Sequence, residues 1–253
     1  LIKRRRYCNM VFDRAPGRQI GGAGRCGGVK GIKDLDQAFE KLPAHELVYR
    51  SIREMILFGE LAPGQSVTIQ GLVSVLGAGM TPVREAIRRL TAEGALELFG
   101  NRRVHVPTLT LPQIDELYFA RQALEPRLAC LAAERITPSD IMQLDLIDQS
   151  LNAAIERGDV RAYLEQNHRF HFTLYQRSEA KILLSICNAL WLRAGPSLRV
   201  VCGKFGTYNL PDMHEEALAA LRAGDPEAVA RAIEGDLLQG GDQIRLSLGQ
   251  GTV

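Results

Sequence analysis

Four side chains in the C-terminal half are of types that hold a divalent cation: Asn167, His171, His214 and Asp236. Asn167 and His171 stand four apart within a helical pattern, so both project from one face. His214 opens the next-to-last helical segment, and Asp236 sits midway along the last. Imidazole and carboxylate groups converging from neighbouring helices are how helical bundles build metal centres. A single i,i+4 Asn/His pair serves equally as a plain structural contact. A second group lies nearer the N-terminus. Within Thr81 to Leu90 (TPVREAIRRL), Arg84 and Arg88 share a helix face with Arg89 beside them, and Arg102 and Arg103 follow Gly100-Asn101. Guanidinium forks at this density suit phosphate oxygens and base edges, or else a solvated face paired with Glu85 and Glu93.

The elements that must position these groups are legible from spacing. Leu47, Val48, Ile52, Met55 and Ile56 recur at helical intervals, and Gly59 with Pro63-Gly64 ends that helix. Val67 to Leu76 predicts a second helix closed by Gly77. Thr81-Pro82 predicts the start of a third, with Thr81 as N-cap, Pro82 at the first helical position and Val83, Ile87 and Leu90 turned inward. Leu96 and Leu98, then Val104 and Val106, alternate either side of Gly100-Asn101, as in a β-hairpin. Three short helices and a hairpin form the winged helix-turn-helix pattern. Its third helix enters the major groove of DNA, and its wing touches a neighbouring groove or the backbone.

Beyond residues 107–111, a linker, the pattern is wholly helical. Thr110 and Gln113 resemble a capping box, Thr137-Pro138 and Asp225-Pro226 open helices, and Gly158 and Gly224 end them. Helices are expected over 112–134, 138–157, 160–178, 181–200, 209–223 and 226–247. The fold class is therefore mainly α: an N-terminal winged helix-turn-helix at 44–106 and a C-terminal six-helix bundle at 112–248, with a tail at 249–253.

The charge of +2 over 253 residues conceals an asymmetry. Residues 1–33 hold nine Lys or Arg, one acid (Asp13) and seven of the 24 glycines, so they carry +8 and the remainder carries −6. With no apolar periodicity, residues 1–43 are expected to be a basic, disordered extension, read as a start-site artefact or alternatively as a nucleic-acid-binding arm. A hydrophobic content of 46% excludes a disordered chain overall, and the longest charge-free apolar run, Ile182 to Leu192, is far too short to span a bilayer. Five cysteines (Cys8, Cys26, Cys130, Cys187 and Cys202) without a CxxC pair read as free thiols in a reducing cytoplasm. His168 neighbours the pair, about 100° round the helix from Asn167, and is expected to be exposed. Arg121 and Glu125 have the spacing of a surface ion pair.

The run from Val48 to Val106, with IREMILFGELAPGQ (Ile52 to Gln65) and TPVREAIRRLTAEGALE (Thr81 to Glu97), resembles the DNA-binding domain of GntR-family bacterial transcription regulators. Leu117 to Ile136, Asn167 to Tyr175 and His214 to Leu237 resemble the FCD ligand-binding domain of the FadR subfamily, and six helices resemble its VanR-like branch. The resemblance implies a homodimer on an inverted-repeat operator in double-stranded DNA. It implies contacts from Thr81, Pro82, Arg84, Arg88, Arg89, Gly100, Asn101, Arg102 and Arg103, and from the positions held here by Gln70 and Met80. The family usually has Arg at those last two. Each loss removes a phosphate contact, or about 1–3 kcal/mol if the group reads a base.

In the FCD domain the resemblance implies a metal held by an Asp and three His. Here Asn167 replaces the Asp, His171 and His214 keep two His, and Asp236 replaces the third His. Two imidazoles and one carboxylate still suit zinc, nickel or manganese. An Arg at the Arg121 position lies by the family's pocket, which makes Arg121 the expected partner of an effector carboxylate. Trp191 and Tyr208 are candidates for the pocket wall. The expectation is a cytoplasmic, non-enzymatic repressor controlled by a small organic acid. The alternatives are a direct metal sensor and a helical-bundle metalloenzyme.

Overall fold

The computed structural model of the chain describes residues 43–99, 103–205 and 211–249. The expected extension over residues 1–42, Cys8 and Cys26 within it, Gly100, Asn101 and Arg102 of the wing turn, Tyr208, and the tail beyond Gly249 lie outside the described residues.

The head opens with α1 (Ala44–Leu57), where Val48, Ile52 and Ile56 recur every fourth residue and bury one stripe. Strand β1 (Ser66–Val67) follows, then α2 (Ile69–Leu76), α3 (Met80–Ala92), β2 (Glu97–Phe99) and β3 (Arg103–His105). Val67 belongs to the strand and not to the helix expected there. Its β-branched side chain is buried opposite Val104, while the Thr68 hydroxyl caps α2 by accepting from the Gly71 amide at 3.0 Å. The wing is thus a three-stranded antiparallel sheet in the order β1-β3-β2. Helix α3 also begins two residues earlier than expected. Gly79 adopts the extended capping conformation and Thr81 lies inside the first turn, where the missing N–H of Pro82 still costs nothing. Val83, Ile87 and Leu90 close over α1, with Leu96 and Val106 completing the core beneath the wing.

The second half comprises α4 (Leu111–Ala133), α5 (Pro138–Glu156), α6 (Val160–Gln176), α7 (Lys181–Phe205), α8 (Met213–Ala223) and α9 (Pro226–Gly249). Gln113 accepts the Thr110 amide at 2.9 Å, and Asp140 accepts the Thr137 amide at 3.0 Å, so local capping chemistry sets the starts of α4 and α5. Helix α8 begins at Met213 and not at 209, because the Asp212 carboxylate takes the Glu215 amide and serves as N-cap. Helix α7 runs to Phe205, past the expected end at 200.

Helix α7 is also the seat of the head. A Cβ at Gly195 would stand 2.3 Å from the Leu57 carbonyl oxygen, so only glycine permits this approach. Around it, Arg53 donates to the Asn188 amide oxygen at 3.1 Å, and Arg193 reaches the Glu93 carbonyl at 3.3 Å. No helix among the described residues is long and apolar enough to cross a membrane.

Candidate functional site

The outer face of α3 presents Arg84 and Arg88 to solvent, together with Met80 and Thr81; Gln70 of α2 and Arg103 of β3 are likewise exposed, and Pro82 is half-buried. Arg88 pairs only with Glu85 one turn away, at 2.8 Å, and Arg84 has no acidic partner among the described residues. Arg89 is different. Its guanidinium sits 3.5 Å over the Tyr49 ring and bonds Glu46 at 3.0 Å and Glu93 at 3.1 Å. It ties α3 to α1, a scaffolding task for a residue the sequence also suggested as a DNA contact.

Inside the bundle, His171 and His214 are buried and Asp236 is half-buried; one ligand atom from each lies within 4.8 Å of the others. The two Nε2 atoms are 3.3 Å apart, and His171 Nε2 stands 3.2 Å from Asp236 Oδ2. The outer ring nitrogens are occupied. His214 Nδ1 donates to Asp148 at 3.1 Å, which leaves its Nε2 a lone pair. The Tyr175 hydroxyl gives its hydrogen to Glu125 at 2.8 Å and therefore accepts from His171 Nδ1 at 2.9 Å. His171 Nε2 is left with a lone pair too. Burial pushes the His171 pKa down against the pull of Asp236, so the ring is neutral. Burial pushes Asp236 up, but the imidazoles of His171 and His214 and the Arg121 guanidinium beside it outweigh this and hold it at about 2. Two imidazole lone pairs and a carboxylate, each fixed from behind, form a donor set that fits a divalent cation. Asn167 lies one turn before His171 and is buried beside the cluster, outside its closest three.

Next to the cluster is a partly open cavity of about 70 Å³, bordered by Tyr118, Arg121, Asn167, Trp191, Asp236 and Gln243 among others. Arg121 is no surface residue. It is 2% exposed and reaches Glu125, itself fully buried, at 2.6 Å. Burial opposes the guanidinium charge, but the adjoining Glu125 carboxylate raises its pKa above the ordinary value. Trp191 also donates to Glu125, at 2.9 Å, and walls the cavity. Burial likewise pushes the Tyr118 phenol up to about 12, and its hydroxyl has no hydrogen-bond partner among the described residues.

His168 overturns the expectation of exposure. Its ring stacks on Phe172 at 4.3 Å and meets Phe58 and Trp191 edge-on, and burial lowers its pKa to about 3. Its place about 100° round the helix from Asn167 turns it toward the head and α7, which cover that side of α6. Sequence reasoning also missed Tyr175, Glu125 and Asp148. Tyr175 stands four residues after His171, a spacing that was available; Asp148 comes from another helix and left no local mark. Cys130 and Cys187 are buried free thiols and Cys202 is half-buried, as read from their apolar positions.

Residues 44–106 match the family of bacterial regulatory proteins of the gntR type, and residues 116–238 match the FCD domain. The chain is 33% identical over 183 residues to the HTH-type transcriptional regulator McbR of Escherichia coli strain K12, covering 71% of this chain and 83% of that protein. The chain belongs to the GntR family. A second GntR-type relative, the HTH-type transcriptional repressor RspR of the same strain, is 27% identical over 207 residues, 80% of this chain and 90% of its own. The solved structure of E. coli McbR/YncC superposes with a TM-score of 0.74 at 30% identity, covering 84% of this chain and all of that one. This GntR-family chain is thus a transcription regulator with a DNA-binding head and a helical FCD domain.

Proposed function

We propose that this GntR-family regulator is a cytoplasmic repressor, homodimeric on an inverted-repeat operator, whose DNA affinity is set by a small organic acid bound beside a divalent cation. The proposed domains are the head at 44–106, a linker at 107–111 and the effector domain at 112–248. One observation carries the reading: ligand atoms of His171, His214 and Asp236 converge within 4.8 Å of one another beside a cavity that the Arg121 guanidinium borders. Zinc, nickel or manganese would rest on those three, with Asn167 at hand, and would supply a positive charge for an effector oxygen. The bonds to Glu125 use Nε and Nη2 of Arg121, leaving Nη1 to meet a carboxylate.

On DNA, the reading assigns contacts to Arg84, Arg88, Thr81, Met80, Gln70 and Arg103, and to Gly100, Asn101 and Arg102 of the wing. Repression follows the RspR relative. The close convergence of the three ligand atoms supports a second reading, in which the cation alone is the signal. Genomic selection of bound fragments, followed by anisotropy titration with zinc and two- to four-carbon acids added singly and together, separates these. An acid that shifts affinity only with zinc present supports the first; zinc alone shifting it fully supports the second; no response to either overturns both.

A further inference from the structure

Glu125 is a buried carboxylate shared by three elements. Its Oε1 accepts from Arg121 at 2.6 Å, and its Oε2 accepts from the Tyr175 hydroxyl at 2.8 Å and the Trp191 indole at 2.9 Å, with a longer bond from Arg121 Nη2 at 3.4 Å. Tyr175 in turn accepts from His171 Nδ1, the ring nitrogen opposite the one that faces His214 and Asp236. A continuous line of hydrogen bonds therefore runs from the interior cluster to Trp191 of α7. That tryptophan stands within one turn of Asn188, Arg193 and Gly195, where the head is seated.

We propose that Tyr175 and Glu125 are positioning residues that relay cation occupancy at His171 to Trp191, and so to the helix that carries the head. The relay rests on reading the His171–His214–Asp236 cluster as a cation centre. When the Nε2 lone pair of His171 is drawn toward a cation, its Nδ1–H becomes a stronger donor. The Tyr175 oxygen that receives it polarises its own O–H more strongly toward Glu125, because hydrogen bonds in a chain reinforce one another at low dielectric. Tyr175 and Trp191 share one carboxylate oxygen, so a firmer Tyr175 bond weakens the indole bond. The hold of Glu125 on α7 loosens at the point where α7 meets the head. No bond is broken and no proton changes owner; the device works by competition for one acceptor.

Trp191 is the only tryptophan in the chain, so its indole N–H gives one assignable resonance. The test titrates zinc into the full-length 15N-labelled chain, following that resonance while calorimetry reports zinc binding independently. In the wild type the indole proton should move upfield at saturation, as its hydrogen bond weakens. Tyr175→Phe should bind zinc about ten- to a hundredfold more weakly and show less than a third of the shift at saturation. Asp148→Asn, which bonds His214 and Asn152 but neither His171 nor Tyr175, should weaken zinc similarly and keep the full shift. An unmoved or downfield-moving wild-type resonance with zinc bound overturns the relay and leaves the cation centre standing, and it needs no variant. A shift that survives in Tyr175→Phe, or vanishes in Asp148→Asn, also overturns the relay. Absence of zinc binding to the wild type overturns the cation centre and the relay together.

Discussion

His171 and His214 face each other through their Nε2 atoms at 3.3 Å, each held from behind by a hydrogen bond that has already used its ring proton. Two acceptors at this distance repel unless a cation lies between them. The expected consequence is that protein purified without a His tag carries about one divalent ion per chain, and that His171→Ala and His214→Ala each lose it. Equal metal in all three proteins, by elemental analysis, would remove the centre from consideration.

A cation bound only by the folded chain stabilises it by mass action. At a free zinc concentration about a hundredfold above Kd the gain is about 2.7 kcal/mol. Thermal melts with chelator and with zinc should separate accordingly in the wild type and coincide in His171→Ala.

Arg84 and Arg89 sit on one helix and should fail differently. Arg84→Ala removes an exposed charge that has no acidic partner among the described residues, so it should lower the salt slope of operator binding by about 0.9 with unchanged urea stability. Arg89→Ala removes the bridge from Glu46 and Glu93 and the contact over Tyr49. It should cost about 1 kcal/mol of stability, discounted because the pairs are half-exposed. The reverse ordering would mean that the two assignments are exchanged.

Gly195→Ala tests the seat of the head. The added methyl must displace the Leu57 backbone, so destabilisation of about 1–3 kcal/mol is expected. Limited proteolysis should then cut within residues 107–111 faster than in the wild type.

His168 sets a pH dependence. Its folded pKa of about 3 lies below its ordinary value of about 6.5, so its contribution to stability is complete above pH 6.5 and is lost as pH falls toward 3. Between pH 7 and 5 the loss is about 2 kcal/mol. His168→Phe, which keeps an aromatic ring against Phe58, Phe172 and Trp191, should lose about that much less over the same interval in urea unfolding.

Local chemistry wrote most of the architecture into the sequence. Caps such as Thr137 and Asp159, the left-handed glycines at 158 and 224, and the apolar stripes of α1 and α3 act over a few residues, and a reader of the chain can see them. The candidate ligands His171, His214 and Asp236 were visible too, through their types and the family motif. What the sequence did not show depends on which helix lies beside which. The Arg121–Glu125 pair has identical spacing on a surface and in a core, and only the packing of α4 against α7 and α6 made it a buried hub. His168 was misjudged because a helical wheel knows one helix, and here the head and α7 cover its second side. Asp148 and the shared oxygen of Glu125 joined the site from distant helices. Spacing along one chain segment orients a side chain; only tertiary packing decides what it meets and how far it is removed from water.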